Sequence, residues 1–321
     1  MKRTAQVAIL MATYNGERFL PVQLDSILNQ EFEDWVLLVS DDGSTDRTRE
    51  ILLQYQKRYP NKIQILEKEK PTGSAKKNFL FLTNQAKDYP YLMYCDQDDF
   101  WKPEKVRLTL EKMKEIENGS AEIPCLVHTD LEVVDQNLHM ISPSFFRFSG
   151  LQAERCALNQ LLIQNIVTGC TMMINHALWE LAAASVDEGQ VLMHDWWFAL
   201  IAAAVGRIGF IGQPLILYRQ HGKNSVGAKD VYSVEAVTTQ MTKYKANHNA
   251  LLSAMLQAGM LLSILDQKLS VQNREMLRAF SQAAQAGKMK RISVSIQYGI
   301  WKNGLICLLY TSDAADDLIG V

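Results

Sequence analysis

The fold is decided by a short apolar run that leads directly into an acidic turn, Tyr91-Leu92-Met93-Tyr94-Cys95-Asp96-Gln97-Asp98-Asp99. An apolar run of this length is typical of a buried strand. In an open α/β sheet the ligand lies outside the carboxyl ends of the strands, which is where these carboxylates fall. Carboxylates this close repel one another, and a divalent cation shared with a substrate diphosphate would stabilise them. The stretch therefore indicates Mg²⁺ or Mn²⁺ beside a nucleotide, with a solvated acidic turn as the alternative.

On both sides of this stretch, strand-length apolar runs alternate with helix-length amphipathic segments. Such alternation predicts a parallel sheet with helices on its faces. Ser44-Thr45-Asp46 and Pro103 are typical of helix starts and agree with the pattern. The fold class is therefore α/β, with a Rossmann-like, mostly parallel sheet flanked by helices. The predicted elements cover residues 7–13, 19–29, 35–40, 48–58, 63–67, 75–87, 91–95, 103–117 and 125–129.

Composition and charge exclude several classes of protein. With 321 residues and 48% hydrophobic content, the chain can bury a large core. Its 33 basic and 35 acidic residues give a net charge of -2, which offers no positive surface for nucleic acid. The scattered cysteines favour a reducing, cytoplasmic location, and no signal peptide is expected. The longest apolar stretch, Trp196 to Gly206, is well short of the roughly 20 residues that span a bilayer.

Polar loops follow three of the predicted strands, and they should meet because parallel strands end at one edge of the sheet. In these loops Tyr14 can stack on a base, and Asp42 can accept the imide N–H of uracil or thymine. Lys76 or Lys77 can reach a phosphate. An ordinary turn remains the alternative for any one loop, but three in this order favour a single site. The loops are Thr13-Tyr14-Asn15-Gly16, Asp41-Asp42-Gly43-Ser44-Thr45-Asp46 and Asp96-Gln97-Asp98-Asp99.

The same loops carry a resemblance to a known family. Together with Ala12, Ser40 and Pro103 they resemble the inverting family 2 glycosyltransferases with the GT-A fold, over roughly residues 5 to 228. Two further segments are most similar to bacterial rhamnosyltransferases that build cell-surface polysaccharide. These segments are His194-Asp195-Trp196-Trp197 and Tyr218-Arg219-Gln220-His221-Gly222-Lys223-Asn224-Ser225-Val226-Gly227.

The resemblance implies a role for individual residues of this chain. Asp98, Asp96 and His221 would hold Mg²⁺ or Mn²⁺, and an exposed loop histidine is the alternative for His221. Asp195 occupies the place of the catalytic base, with N-capping of its helix as the alternative. The nucleotide sugar would be bound by Thr13, Tyr14, Asn15, Asp42, Lys76, Lys77, Asp96, Arg219 and Lys223.

The resemblance also implies a reaction, a single displacement at the anomeric carbon that needs a base and charge stabilisation of the departing diphosphate. The expected donor is dTDP-rhamnose, and the expected acceptor is a saccharide or lipid-linked saccharide. A hexosyl or N-acetylhexosaminyl transferase that uses a UDP-sugar is the first alternative, because Tyr14 and Asp42 suit uracil as well as thymine. A nucleotide-sugar-binding module without turnover is the second.

The expected domain organisation follows the same resemblance. Residues 1–230 form the GT-A domain, with a nucleotide-binding half at about 5–130 and an acceptor half at about 131–230. Residues 231–306 are helical in pattern, and residues 307–321 are expected to be a non-native tail. The basic cluster Lys288-Met289-Lys290-Arg291 precedes an amphipathic segment, which indicates either peripheral contact with the inner face of the membrane or a packed helix. Packing is favoured, because few basic residues are adjacent.

Overall fold

The computed structural model describes residues 5–183, 191–221 and 244–302. These residues form two compact units. The described part of the first comprises residues 5–145, 167–183 and 207–221, and that of the second comprises 146–166, 191–206 and 244–302. The division at residue 230 stays a prediction from sequence.

The first unit contains the sheet, and its strands alternate along the chain with helices. The strands are β1 (Val7–Thr13), β2 (Trp35–Asp41), β3 (Ile63–Ile65), β4 (Tyr91–Cys95), β5 (Phe100–Trp101), β6 (Cys125–Val134), β7 (Met140–Ser142), β8 (Met173–Asn175) and β9 (Arg207–Arg219). The helices of the whole described chain are α1 (Leu20–Leu28), α2 (Thr48–Arg58), α3 (Ala75–Gln85), α4 (Lys105–Glu117), α5 (Phe145–Phe148), α6 (Leu158–Leu161), α7 (His176–Ala183), α8 (His194–Val205), α9 (Tyr244–Leu265), α10 (Val271–Gln282) and α11 (Lys288–Tyr298).

Four strands form the parallel part of the sheet, in the order β3-β2-β1-β4. The residues of β1 from Val7 to Met11 are fully buried, which explains their continuous apolar pattern, since a parallel strand is covered on both faces. Thr13 lies in register with Asp41, so the loops after β1 and β2 leave the sheet side by side. Met11 pairs with Cys95, which brings the acidic turn after β4 to the same edge.

Beyond β4 the sheet becomes mixed. Strand β8 lies antiparallel between β4 and β6, and β9 pairs parallel with β6 and antiparallel with β5. The predicted run at 125–129 is part of β6, which continues to Val134. The sequence pattern missed β8 because three residues are too few to show a period. The α/β fold class with its central sheet is confirmed, and the parallel arrangement is concentrated in the half that carries the three loops.

The second unit is helical, and side-chain contacts to the main chain join its helices. Gln257 of α9 accepts a hydrogen bond from the Leu192 N–H at 2.9 Å. Asn273 of α10 donates to the Ala204 carbonyl of α8 at 3.1 Å. Asn159 donates to the carbonyl of Tyr298 at the end of α11, also at 3.1 Å. Helix α11 is therefore packed within this unit.

Most of α9, together with the three residues that follow it, forms the segment Asn249–Lys268. The length of this segment and its mean hydropathy of 1.3 would suit a membrane crossing. Its apolar side chains also pack inside the second unit, where Met255 and Leu261 are fully buried. The buried share of that segment is 39%. Length and composition alone are weak evidence for a membrane span, because a core helix meets the same criteria.

Candidate active site

The first two loops are joined by hydrogen bonds at the carboxyl edge of the sheet. The Thr13 hydroxyl donates to Asp41 Oδ1 at 2.9 Å. The Asn15 N–H donates to Ser44 Oγ, and the Thr45 N–H donates to Asn15 Oδ1, both at 2.8 Å. Asn15 adopts a left-handed backbone with φ of 48°, which asparagine tolerates better than most residues. Thr13 and Asn15 therefore shape the edge of the site through contacts within the protein.

Gln97 joins the first loop to the third. The Tyr14 N–H donates to Gln97 Oε1, and Gln97 Nε2 donates to the Tyr14 carbonyl, both at 2.9 Å. A Cβ on Gly16 would lie only 2.2 Å from Gln97 Oε1, so a larger residue there would have to displace the Gln97 side chain. The Tyr14 side chain is 57% exposed, which leaves its ring accessible to a base. Sequence reasoning gave Gln97 no role, although its place between the aspartates was a signal.

Asp42 is buried and held by Lys68 and Thr72, and the Thr72 hydroxyl lies within 3.1 Å of both carboxylate oxygens. Lys68 Nζ lies 2.7 Å from Asp42 Oδ1, and the Thr72 N–H donates to the same oxygen at 2.6 Å. Burial by itself raises the pKa of Asp42, but the hydrogen bonds from Lys68 and Thr72 outweigh burial and lower it below 3.8. Lys68 follows β3, so a fourth loop contributes to the site and was missed by the sequence analysis. Asp42 is thus an oriented, ionised acceptor.

A cavity of about 190 Å³ opens beside these loops. It is lined on one side by the loop after β2 and on the other by the loop after β3. Its lining residues are Asp41, Gly43, Ser44, Arg49, Leu66, Glu67, Lys68 and Pro71. Lys76 and Lys77 lie farther along the chain, in the first turn of α3. Their predicted contact with phosphate stays a prediction.

The third loop brings two of the expected metal ligands together. Asp98 Oδ2 lies 2.7 Å from His221 Nε2, although the residues are 123 positions apart. Their side chains are 16% and 13% exposed, so solvent and a substrate can reach them. Neighbouring ligand atoms around an octahedral Mg²⁺ lie roughly 3 Å apart, since each bond is about 2.1 Å. The donor atoms of Asp98 and His221 therefore fit one divalent cation, and the half-buried Asp96 lies two residues away.

A second arrangement of possible ligands lies deeper. One ligand atom each from Asp96, Asp99 and Cys170 can be found within 4.8 Å. Asp99 is fully buried, and burial with the neighbouring charges of Asp98 and Asp96 raises its pKa well above 3.8. Burial also raises the pKa of the Cys170 thiol. A thiol is a poor ligand for Mg²⁺ or Mn²⁺, which favour charged oxygens and keep bound water. The expected metal ligands Asp98 and His221 offer a carboxylate oxygen and an imidazole nitrogen instead, and their role as ligands stays a prediction.

Arg219 donates hydrogen bonds to two residues of the third loop. Its Nε donates to the Asp98 carbonyl at 2.7 Å, and its Nη1 donates to the Gln136 carbonyl at 2.6 Å. Its own N–H donates to Asp99 Oδ1 at 3.1 Å. Only 3% of Arg219 is exposed, so these main-chain contacts direct its guanidinium into the protein. Its predicted contact with the donor stays a prediction, and Lys223 lies outside the described residues.

Asp195 lies in the second unit, in the first turn of α8. The helix cap is Met193, so the side chain of Asp195 is not the N-cap that the alternative required. Asp195 is 8% exposed, and its Oδ1 accepts the Trp196 N–H at 2.6 Å. Burial lowers the pKa of the adjacent His194 to about 3, which keeps that imidazole neutral. The role of Asp195 as base stays a prediction.

Comparisons with known proteins show what the chain is similar to. Residues 8–181 match the sequence profile described as Glycosyl transferase family 2. The chain is 30% identical over 226 residues to dTDP-rhamnosyl transferase RfbG of Shigella flexneri, which covers 68% of this chain and 74% of that protein. It is 33% identical over 110 residues to the putative teichuronic acid biosynthesis glycosyltransferase TuaG of Bacillus subtilis, covering 34% of this chain and 42% of that protein.

Two solved structures share the fold. TarS 1-349 of S. aureus, in complex with UDP, superposes with a TM-score of 0.53 at 15% identity and covers 92% of each chain. The mannosyltransferase PcManGT of Pyrobaculum calidifontis, in complex with GDP-Man and Mn²⁺, gives 0.50 at 16% identity and covers 99% of this chain and 88% of that one. These similarities confirm the expected GT-A architecture.

Proposed function

Because the chain belongs to glycosyltransferase family 2, we propose that it is a metal-dependent inverting transferase that moves rhamnose from dTDP-rhamnose to a saccharide. The observation that carries this proposal is the convergence of an exposed tyrosine, an ionised Asp42 and the Asp98 and His221 pair at one sheet edge. Such an edge is where a nucleotide binds in an α/β sheet. The 30% identity to a dTDP-rhamnosyl transferase supports the donor.

The donor's base is proposed to lie between Tyr14 and Asp42. The exposed Tyr14 ring can stack on the base, with ring faces offset as aromatic pairs prefer. Asp42 accepts the imide N–H, and Lys68 and Thr72 hold its carboxylate in one orientation for that bond. A preorganised acceptor loses little freedom when the base binds, which is how such a contact adds affinity.

Asp96, Asp98 and His221 would hold Mg²⁺ or Mn²⁺, which would supply positive charge for the diphosphate that leaves. Asp195 would take the proton of the acceptor hydroxyl as it attacks the anomeric carbon. A base in that role contributes about 10²–10⁴-fold to the rate. Its burial and the hydrogen bond from Trp196 would keep one carboxylate oxygen fixed while the other accepts the proton.

A UDP-sugar donor is the second candidate. Asp42 recognises the imide that thymine and uracil share, so nothing in that contact separates the two bases. The structurally similar TarS binds UDP and UDP-GlcNAc. A hexosyl or N-acetylhexosaminyl transferase would use the same residues with a different sugar. Membership of a glycosyltransferase family argues against the third reading, a binding module without turnover.

The proposal places the enzyme in the cytoplasm, where it would extend a saccharide or lipid-linked saccharide for the cell surface. For α11, the contacts favour the packed helix. Arg291 donates to the Ala283 and Ala284 carbonyls at 3.2 Å, and Val294 is buried. Peripheral membrane contact would use Met289 and Ile296, which are 77% and 61% exposed. Stable binding to a membrane usually needs more than one cationic helix face, so such contact would be weak.

The test is release of nucleoside diphosphate from a panel of dTDP- and UDP-sugars, with Mn²⁺ or Mg²⁺ and a mixed saccharide acceptor pool. Wild type is compared with Asp98→Ala. Release from dTDP-rhamnose alone, lost in Asp98→Ala, is the expected result. Release only from a UDP-sugar would overturn the donor and support the second candidate. Equal release with and without metal would overturn the metal dependence.

A further inference from the structure

The aromatic ring of Phe19 contacts the imidazole of His221, one of the predicted metal ligands. We infer that Phe19, together with the guanidinium of Arg219, is a positioning residue that holds His221 and Asp98 in the arrangement one divalent cation requires. This inference rests on the metal site of the proposed function. It assigns to the loop after β1 a task beyond contact with the nucleotide.

The first step is the contact between the two rings. The Phe19 and His221 ring centroids lie 4.9 Å apart with the rings inclined by 33°. That distance is within the range of favourable aromatic pairs. His221 Nε2 meanwhile lies 2.7 Å from Asp98 Oδ2, so the imidazole is held at its polar edge by Asp98 and against its face by Phe19. Two such contacts fix the direction in which the nitrogen points.

The second step is the cation on the same ring. The Arg219 guanidinium lies with its Cζ 4.5 Å from the Phe19 centroid, a favourable cation–π distance. The same guanidinium donates to the Asp98 and Gln136 carbonyls. Arg219 therefore fixes the main chain of one predicted ligand and the ring that supports the other. Arg18, 4.8 Å from the Phe19 centroid, also donates to Gln136 Oε1 at 3.0 Å.

The third step is what this support does when the cation binds. A bound cation would take the place of the proton between Asp98 Oδ2 and His221 Nε2, so the hydrogen bond between them would be lost. The ring of Phe19 would still contact the imidazole after that hydrogen bond is lost. Residues that orient metal ligands in this way typically affect affinity by about 10- to 100-fold. Loss of the ring should therefore lower the affinity for the metal, and the protein should still fold.

The chain offers a matched control. Phe210 of β9 contacts His128 of β6 with a centroid distance of 5.0 Å and an inclination of 39°. This pair has the same chemistry and nearly the same geometry as Phe19 and His221. His128 is fully buried, and burial lowers its pKa to about 4. Replacing Phe210 removes an equivalent ring contact without touching the predicted ligands.

The experiment measures Mn²⁺ binding to the full chain by the enhancement of water-proton relaxation, with Mn²⁺ alone as the probe. Phe19→Leu should weaken Mn²⁺ binding by about tenfold or more. Phe19→Tyr keeps the ring and should bind Mn²⁺ as the wild type does. Phe210→Leu should bind Mn²⁺ as the wild type does. Thermal unfolding without Mn²⁺ reports the effect of each variant on the fold. If Phe19→Leu does not fold, Arg219→Lys replaces it, since lysine keeps the charge but loses the two-pronged contact.

The outcomes separate this inference from the proposed function. If wild type binds Mn²⁺ and Asp98→Ala does not, the metal site stands. Unchanged binding by Phe19→Leu would then overturn the positioning role alone. Equal weakening in Phe19→Leu and Phe210→Leu would also overturn it, because any lost ring would have the same effect. If Asp98→Ala binds as the wild type does, the metal site fails and the inference fails with it.

Discussion

The ion pair between Lys68 and Asp42 allows us to predict how much stability the protein loses when one buried cation is removed from the proposed donor site. Lys68 Nζ lies 2.7 Å from Asp42 Oδ1, with side-chain exposures of 9% and 7%, and 2.6 Å from Asn78 Oδ1. Lys68→Met keeps most of the side-chain volume and removes both contacts. Both contacts are made by the charged ammonium of Lys68 and contribute about 1.5–3 kcal/mol each, so the free energy of unfolding should fall by at least about 3 kcal/mol. That value lies at the lower end of the cost of breaking a buried pair, about 3–5 kcal/mol.

The assay is urea unfolding at pH 7, followed by tryptophan fluorescence. Arg49→Met is the matched control, because Arg49 and Glu67 form a pair of nearly the same length, 2.8 Å, with side chains 50% and 66% exposed. An exposed pair contributes about 0.2–1 kcal/mol, so this variant should lose little. Calorimetric titration with dTDP should also show weaker binding to Lys68→Met, because Asp42 loses one of the groups that orient it.

Two results would refute this reasoning. A loss below about 0.5 kcal/mol in Lys68→Met would be that of an ordinary surface substitution, and the buried pair would not anchor the pocket. An equal loss in Lys68→Met and Arg49→Met would mean that burial does not decide the strength of these pairs. In either case the account of Asp42 as an acceptor held in place by Lys68 is wrong.

Three further predictions concern the base, the loop contact and acid stability. Asp195→Asn should leave dTDP-sugar binding intact and lower kcat by about 10²–10⁴-fold, and a near-wild-type kcat would remove Asp195 as the base. Gly16→Ala should raise the KM for the donor, because its Cβ would displace the Gln97 side chain from the Tyr14 main chain, and Gln97→Ala should raise it by a similar factor; the double variant should lose no more than either single variant, and additive losses would contradict the contact. Burial lowers the pKa of His194 to about 3 and that of His128 to about 4, from 6.5. Keeping these two histidines neutral contributes fully to stability above pH 6.5, and the contribution is lost as the pH falls, by about 2 kcal/mol for each histidine at pH 5. His128→Phe should therefore make the free energy of unfolding depend less on pH. An unchanged slope would contradict the lowered pKa of His128.

Much of the first unit was predictable because its signals are local. The run from Tyr91 to Cys95 is a strand with the predicted bounds, since buried parallel strands have continuous apolar sequences. The common edge for the loops followed from parallel order alone, and the pairing of Thr13 with Asp41 bears it out. The sequence predicted a parallel sheet for all five runs up to residue 129, but β8 lies antiparallel between β4 and β6, so only the first four of these strands pair with one another directly.

The contacts that complete the site were not predictable, because they depend on tertiary structure. Lys68 lies in the sequence Glu67-Lys68-Glu69-Lys70, which has the pattern of a solvated charged segment, yet Lys68 is buried against Asp42. Gln97 and Tyr14 meet across 83 positions through side-chain geometry that no periodicity encodes. Phe19 had the pattern of a helix start, and its contact with His221 depends on where β9 ends. In each case the residue type gave no hint of its partner.

The central claim is that Asp98 and His221 form the metal site of a nucleotide-sugar transferase. The most direct test measures nucleoside diphosphate release by wild type, Asp98→Ala and His221→Ala after chelation and again after addition of Mn²⁺, with the donor that the panel identifies. The account predicts that chelation abolishes turnover by wild type, that Mn²⁺ restores it, and that neither variant recovers at the same Mn²⁺ concentration. Full turnover by wild type in excess chelator, or full recovery by both variants, would contradict it.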